Sequence, residues 1–249
     1  MQDSERPLTM HLSQVDEDRF GVRTARAFIR TEESLPALLE YCHQQQVKFL
    51  IVRCPTTALH TAQGLESVGC RLMDTLIYYK RNLLKQAIPD LPSAPHIRSI
   101  HPEDVAAVQQ VAEQSFKGYF GHYHADPRLD PAKCDQGYVS WAVRSSVSRE
   151  VADDVLVAEA QGDILGFATL RLNSPAQGEG VLFGVAPKAQ GQGIYRSLMI
   201  HTMDWFLRHD AEEMIVSTQI TNIAVQKVWT RVAFEPGFSH YTFHKWFDE

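Results

Sequence analysis

The sequence predicts an α/β (α+β) chain built as two units, and three observations carry that prediction. Short apolar, strand-like runs alternate with helix-patterned segments. A break with three prolines, "QAIPDLPSAPH" at residues 86–96, reads as a linker between a shorter first unit, residues 1–88, and a longer second one, residues 96–249. A pattern of strand, helix, small residue and strand also occurs once in each unit: "VKFLIV" with "LESVGCRLMDTLIYYKR", and "EMIVST" with "WTRVAFEPGFSHYTFHKW". The interval from Val52 to Gly69 equals that from Val216 to Ala233. Such units are common, which is one reading of the match; two related half-domains are the other.

In order, "SLPALLEYCHQQ" has helical spacing, "VKFLIV" is a short buried strand and "TALHTAQGLESVG" is a helix closed by Gly69. "MDTLIYYKRNL" is strand-like and ends the first unit. In the second, "HIRSIHPEDVAAVQQVAEQSF" reads as a strand and then a helix with Pro102 in its first turn. A loop of mixed character, "KGYFGHYHADPRLDPAKCD", leads to a helix over residues 137–147. "VLVAEAQGDILGFATLRL" is a hairpin turning at Gln161, Gly162 and Asp163, and "GVLFGVAP" is the next strand. A helix over Ile194–Arg208, a strand over 214–218, a helix over 222–232 and the aromatic strand "HYTFHKWF" complete the chain.

Composition narrows the function. With 249 residues, 44% of them hydrophobic, the chain can bury a sizeable core. A net charge of −6 argues against a general nucleic-acid binder, so an anionic ligand must be held by local geometry. The polar start "MQDSERPLTM" lacks a signal-peptide core, and no apolar run approaches a bilayer span, so a cytoplasmic location without membrane contact is expected. Cys42, Cys54, Cys70 and Cys134 show no CxxC spacing and are expected to be reduced and buried.

"QGQGIYRSLM", residues 190–199, reads as a glycine turn entering a helix. Gly191 and Gly193 let the backbone approach a ligand, and the helix start leaves N–H groups without intrahelical partners, which suits an anion; a glycine turn with no ligand is the alternative. No Gly-Lys-Ser/Thr follows, and GxGxxG is incomplete, so neither a P-loop nor a dinucleotide fingerprint is present.

The order of elements from His96 onward resembles the GNAT superfamily of acyl-CoA-dependent N-acyltransferases. "VLFGVAPKAQGQGIYRSLM" resembles that family's fourth strand and pyrophosphate loop, Q/R-x-x-G-x-G/A, with Tyr195 in place of the last small residue. "TNIAVQKVWTRVAFEP" resembles its N-x-x-A-x-x-x-Y-x-x-x-G-F segment, with Trp229 and Ala233 as departures. The resemblance implies a GNAT fold with a mixed central sheet, preceded by a smaller degenerate half-domain. Shifted back by the repeat interval, the glycine loop falls on "RAFI", so the ligand machinery is expected in the second half alone.

For acyl-CoA, acetyl or longer, the resemblance implies that Phe183, Gly184 and Val185 pair with the pantetheine arm. Gln190, Gly191, Gln192, Gly193, Ile194 and Tyr195 would hold the pyrophosphate through backbone N–H groups, with Asn222 beside the arm or capping the last helix. No metal is expected: His122, His124 and Asp126 have no evident further ligand.

The two-part architecture and the loop "FKGYFGHYHADPRLD" resemble the TDP-fucosamine acetyltransferase type, which implies a dTDP-linked amino-deoxy sugar as acceptor, for surface-polysaccharide synthesis. Tyr119, His122, Tyr123, His124 and Asp126 are the acceptor-site candidates from the loop, joined by Thr218, Gln219 and Trp229. Each loop residue reads equally well as internal packing. For proton transfer the candidates are His124, His122 and Tyr123, with Glu159 an outside choice. Trp229 stands where related enzymes often place a tyrosine acid, and an indole N–H cannot serve as one near neutral pH. Two alternatives stay open: a GNAT enzyme for another small amine, and a non-catalytic CoA-sensing module. A homodimer through edge strands is compatible with the sequence.

Overall fold

The computed structural model describes residues 6–247; residues 1–5, half of the polar start read above, and residues 248–249 lie outside the described residues. The elements of the first unit are β1 (Leu8–Leu12), α1 (Gln14–Phe20), β2 (Thr24–Ile29), α2 (Leu35–Gln44), β3 (Phe49–Pro55), α3 (Leu59–Ser67) and β4 (Arg71–Asn82). Those of the second are β5 (His96–Ser99), α4 (Val105–Ser115), α5 (Pro131–Val147), β6 (Asp154–Ala160), β7 (Asp163–Ser174), β8 (Gln177–Val185), α6 (Ile194–Arg208), β9 (Glu213–Gln219), α7 (Ile223–Arg231) and β10 (Glu235–Trp246). Among the described residues no helix is long and apolar enough to cross a membrane.

All ten strands form one mixed sheet, in the order β1-β2-β3-β10-β4-β9-β8-β7-β6-β5. The pairs β2–β3 and β8–β9 are parallel and the others antiparallel. The last strands of the two units are interleaved. β10 lies between β3 and β4, and β4 pairs with β9. Cores are shared accordingly: Phe243 of β10 packs in the first unit's core, and Tyr79 and Leu83 pack in the second's. The turns after α3 and α7 match closely. Gly69 and Ala233 both have positive φ, 83° and 60°. Cys70 N–H donates to Leu65 and Phe234 N–H to Trp229, each at 2.9 Å.

β3 explains its own apolar run. Leu50 and Val52 face one core and Phe49 and Ile51 another, so the strand is buried on both sides. Arg53 continues the second face. Beside it, register pairs Thr242 with Arg53, His244 with Ile51 and Trp246 with Phe49, so the polar residues of β10 share that face.

Four elements differ from the sequence reading. The sequence pattern assigns nothing to β1, α1 and β2; they are short, and β1 is mostly half-buried, so no strong alternation marks it. Helix α5 begins six residues earlier than residue 137, because Pro131 fits its first turn and Asp130 caps it, accepting the Ala132 N–H at 2.9 Å.

Candidate active site

β8 and β9 pair only over residues 177–180 and 213–216. Beyond that the strands part. Against β7, Leu170 pairs with Gly180 and Thr169 with Leu182, so Val181 is an extra residue on β8. Such a bulge bends the strand that carries it. The parting opens into a cavity of about 730 Å³ that runs under the loop after α4 and reaches α1 and β2.

Of the acyl-CoA candidates, Phe183, Tyr195 and Asn222 line this cavity. Gly184, Val185 and residues 190–194 do not. The loop itself is formed as its glycines require: Gly191 and Gly193 have φ of 77° and 82°. The first closing bond of α6 runs from Ser197 N–H to Gly193 C=O at 2.9 Å, so the N–H groups of Ile194, Tyr195 and Arg196 have no intrahelical acceptor. Gln190 and Gln192 brace the loop through bonds to the carbonyls of Val185 and Lys188, at 3.2 and 3.0 Å. Asn222 caps α7, accepting the Val225 N–H at 3.4 Å, and donates to Thr218 Oγ1 at 3.0 Å. These groups fit a bound pyrophosphate and its extended arm: free N–H donors at a helix start, next to parted strands.

Tyr195 and Trp229, the two departures from the family pattern, touch each other. The Trp229 indole N–H donates to the Tyr195 hydroxyl at 2.9 Å. Their rings also pack against Phe183 and Tyr79, with centroids 5.3 Å apart in each case.

The acceptor candidates divide. Tyr119, His122, Tyr123, Thr218, Gln219 and Trp229 line the cavity; His124 and Asp126 do not. Tyr119 donates to Gln219 and so fastens the loop to β9. His124 is held by Asp135, Nε2 to Oδ1 at 3.0 Å. The Tyr123 hydroxyl donates to Asp16 Oδ1 at 2.6 Å and contacts Arg26. Its phenol is committed to that cluster, and burial, ahead of the opposing charge of Arg26, pushes its pKa up to about 12. Glu159 is paired with Arg98 at 2.9 Å, on β6 beside β5.

His122 forms part of a chain that the loop sequence could not disclose. Its Nδ1 lies 2.9 Å from His244 Nε2, and His244 Nδ1 lies 2.9 Å from Asp126 Oδ2. Asp126 also accepts the Trp246 indole N–H at 2.9 Å and the Arg128 N–H at 3.0 Å. Burial raises the Asp126 pKa, but the donors His244 and Trp246 outweigh it and hold the carboxyl below its ordinary range, so it is an acceptor. His244 must therefore donate from Nδ1, and its Nε2 must accept from His122 Nδ1–H. That leaves a lone pair on His122 Nε2, which has no protein partner among the described residues. Burial first, and nearby positive groups second, set the His122 pKa well below that of an ordinary histidine. The period-two run His240, Thr242, His244, Trp246 in the last strand was the available signal for this face.

Sequence reasoning also missed the arginines. Arg19, Arg26, Arg53, Arg144 and Arg171 all line the cavity. Asp16 pairs with Arg26 at 2.6 Å and with Arg19 at 3.4 Å. Glu150 and Glu179 line the cavity beside the remaining three, and burial raises the Glu179 pKa against the opposing charges of Arg171 and Arg53. The wall is cationic although the chain is not. The four cysteines are free and buried, and no group of three or more metal-ligating side chains is assembled among the described residues.

Residues 111–234 match the Acetyltransferase (GNAT) family. The chain carries a GNAT-family acetyltransferase domain. Solved structures share the GNAT fold across nearly all of the chain. A GCN5-related N-acetyltransferase from Kribbella flavida aligns with a TM-score of 0.67 and 15% identity, over 96% of this chain and 86% of that one. One from Sphaerobacter thermophilus aligns with a TM-score of 0.66 and 14% identity, over 98% and 78%. Among curated proteins, the spore coat polysaccharide biosynthesis protein SpsD of Bacillus subtilis (strain 168) is 22% identical over 206 residues, 81% of this chain and 68% of that protein. The GNAT domain implies an acyl-CoA substrate, which agrees with the loop and the parted strands described above.

Proposed function

We propose that the protein is an acyl-CoA-dependent N-acyltransferase acting on the amino group of a dTDP-linked amino-deoxy sugar for surface-polysaccharide synthesis. The observation that carries this reading is one cavity lined by Phe183, Tyr195 and Asn222, by the His244-bonded His122 and by five arginines. SpsD, named for polysaccharide biosynthesis, supports the sugar acceptor. A tandem GNAT protein from the clavulanic acid biosynthesis pathway, aligned with a TM-score of 0.62 over 91% of this chain, supports reading the first unit as a degenerate GNAT half-domain.

Acyl-CoA supplies the acyl group as an activated thioester. Backbone N–H groups at residues 191–195 hold its pyrophosphate, and the edge of β8 beyond Val181 holds its arm. The acceptor's diphosphate is neutralised by Arg53, Arg144 and Arg171. Trp141 and Arg144 lie three residues apart on α5, hence on one helix face, and both line the cavity. The indole stacks on the nucleobase while the guanidinium meets a phosphate. His122 Nε2 takes the proton that the amine loses on attacking the thioester carbonyl. His244 and Asp126 position that ring and fix its tautomer.

Binding of dTDP alone tests the acceptor side. Calorimetry should show dTDP binding that weakens about tenfold or more in Arg53→Ala and Arg144→Ala, with acetyl-CoA affinity unchanged. Equal dTDP affinity in all three proteins would remove the nucleotide-sugar assignment.

A further inference from the structure

We infer that the Tyr195 hydroxyl donates a hydrogen bond to the departing CoA sulfur and so stabilises the thiolate, from α6 rather than from the helix that carries Trp229. The inference rests on the acyl-transfer reading above. Three observations lead to it. Tyr195 lines the same cavity as His122. Its hydroxyl accepts the Trp229 indole N–H at 2.9 Å. An indole N–H only donates, so the phenol oxygen is the acceptor in that contact, and its own proton must point elsewhere. Among the described residues nothing in the chain accepts that proton.

The surroundings fit a donor. Tyr195 stands in the first turn of α6, just after the glycine loop, and its ring leans on Phe183 beyond the bulge of β8. Phe183, Tyr195, Asn222 and Trp229 all line the cavity that His122 lines. Burial raises the phenol pKa above its ordinary value, so it is protonated throughout the working range. The two departures from the family pattern are then one coupled change: Trp229 fills the space of a tyrosine and orients another.

In the step proposed, the amine nitrogen bonds to the thioester carbonyl carbon and the carbonyl electron pair moves to oxygen. When the C=O re-forms, the C–S bond breaks and its pair leaves on sulfur. The phenol O–H donates a hydrogen bond to sulfur as that charge develops and keeps its proton. The amine proton, received by His122, passes to solvent, from which the thiolate is protonated. The products are the amide and CoA thiol, with the enzyme unchanged.

The test has one arm that needs no turnover. Iodoacetamide alkylation of CoA bound to the protein, followed by mass across pH, reads the thiol pKa in the complex; free CoA is measured in parallel. The protein's own cysteines are buried, with thiol pKa values pushed up to about 11 or 12, so they react slowly. The bound thiol should titrate roughly one pH unit lower than free CoA in the native protein, and close to free CoA in Tyr195→Phe. CoA affinity should stay within about twofold, while kcat for acyl transfer falls roughly 30- to 100-fold, at or below the low end for losing one donor to a developing anion because a thiolate leaves readily. Trp229→Phe should lose less, about three- to tenfold, since the phenol remains but is no longer oriented. Should Tyr195→Phe fold poorly with the indole N–H unpaired, the double variant Tyr195→Phe/Trp229→Phe removes both polar groups together and serves in its place.

An unchanged thiol pKa, or a kcat within twofold of native, would overturn the assignment. Native protein that binds CoA but acylates no amine would instead refute the acyl-transfer reading, with the thiol titration still reporting on Tyr195.

Discussion

Replacing His244 with phenylalanine keeps a planar ring at β10 but removes both nitrogens of the chain from Asp126 to His122. The His122 Nδ1–H loses its acceptor at 2.9 Å. The ring then gains nothing from keeping its proton on Nδ1, and the tautomer with the proton on Nε2 points an N–H, not a lone pair, into the cavity. General base catalysis contributes about 10²–10⁴, or roughly 3–5 kcal/mol of barrier, so kcat should fall at least about 100-fold. Stability should fall too. Asp126 retains its donors from Trp246 and Arg128, so one carboxylate contact and one imidazole N–H go unmade, costing roughly 1–3 kcal/mol each. His244→Gln separates the two effects, because its amide offers an acceptor to His122 and a donor to Asp126. It should recover most of kcat. The assay is thiol release from acetyl-CoA with the best acceptor, alongside urea unfolding to confirm that each variant is folded. Nitrogen chemical shifts of the His122 ring give the tautomer directly. A folded His244→Phe protein with native kcat, or a native protein with its proton on His122 Nε2, would refute the reasoning. The same argument places the acid limb of the native kcat profile below pH 6.5, the ordinary histidine value, because His122 is held well under it.

Other expectations follow from the same geometry. Tyr123→Phe should cost roughly 1.5–3 kcal/mol in urea unfolding, because the phenol donates to the buried Asp16 carboxylate, yet leave kcat within twofold. Burial opposes ionisation of Asp16, but the hydrogen bond and charge of Arg26 prevail and lower its pKa from 3.8 to about 2. The group therefore contributes about 2 kcal/mol at and above pH 4, and that contribution is lost as pH falls towards 2; the stability gap between native protein and Asp16→Asn should narrow over that window. His124→Ala should leave kcat unchanged within twofold, since His124 faces Asp135 and not the cavity. Gly193→Val should weaken CoA binding at least about tenfold in calorimetry, because a β-branched residue resists a φ of 82°, whereas Tyr195→Phe should not.

Local signals were readable and distant ones were not. The glycine loop, the hairpin at residues 161–163 and the two-sided burial of β3 are written in a few consecutive residues, and so were found. The residues that complete the cavity are remote in sequence. His122 meets His244 across 122 positions, and Tyr123 meets Arg26 across 97. Nothing in the loop announces a partner on the last strand. Arg26 lies in "RAFI", the segment that marks the missing glycine loop; in the structure the segment belongs to β2, and Arg26 lines the cavity instead. The interleaving of β4 and β10 was equally hidden, because the order of strands in a sheet depends on which edges are buried, not on local pattern.

The central claim is that one cavity brings an acyl thioester and the amine of a nucleotide sugar together. Mass spectrometry of the small-molecule products tests it most directly, with the protein incubated with several acyl-CoA thioesters and a panel of dTDP-linked amino-deoxy sugars. The expected result is a nucleotide sugar heavier by one acyl group, with an equal amount of free CoA. CoA bound but every sugar recovered unmodified, while a simple amine or polyamine in the same panel is acylated, would contradict the acceptor. No acylated product from any amine would contradict the chemistry itself.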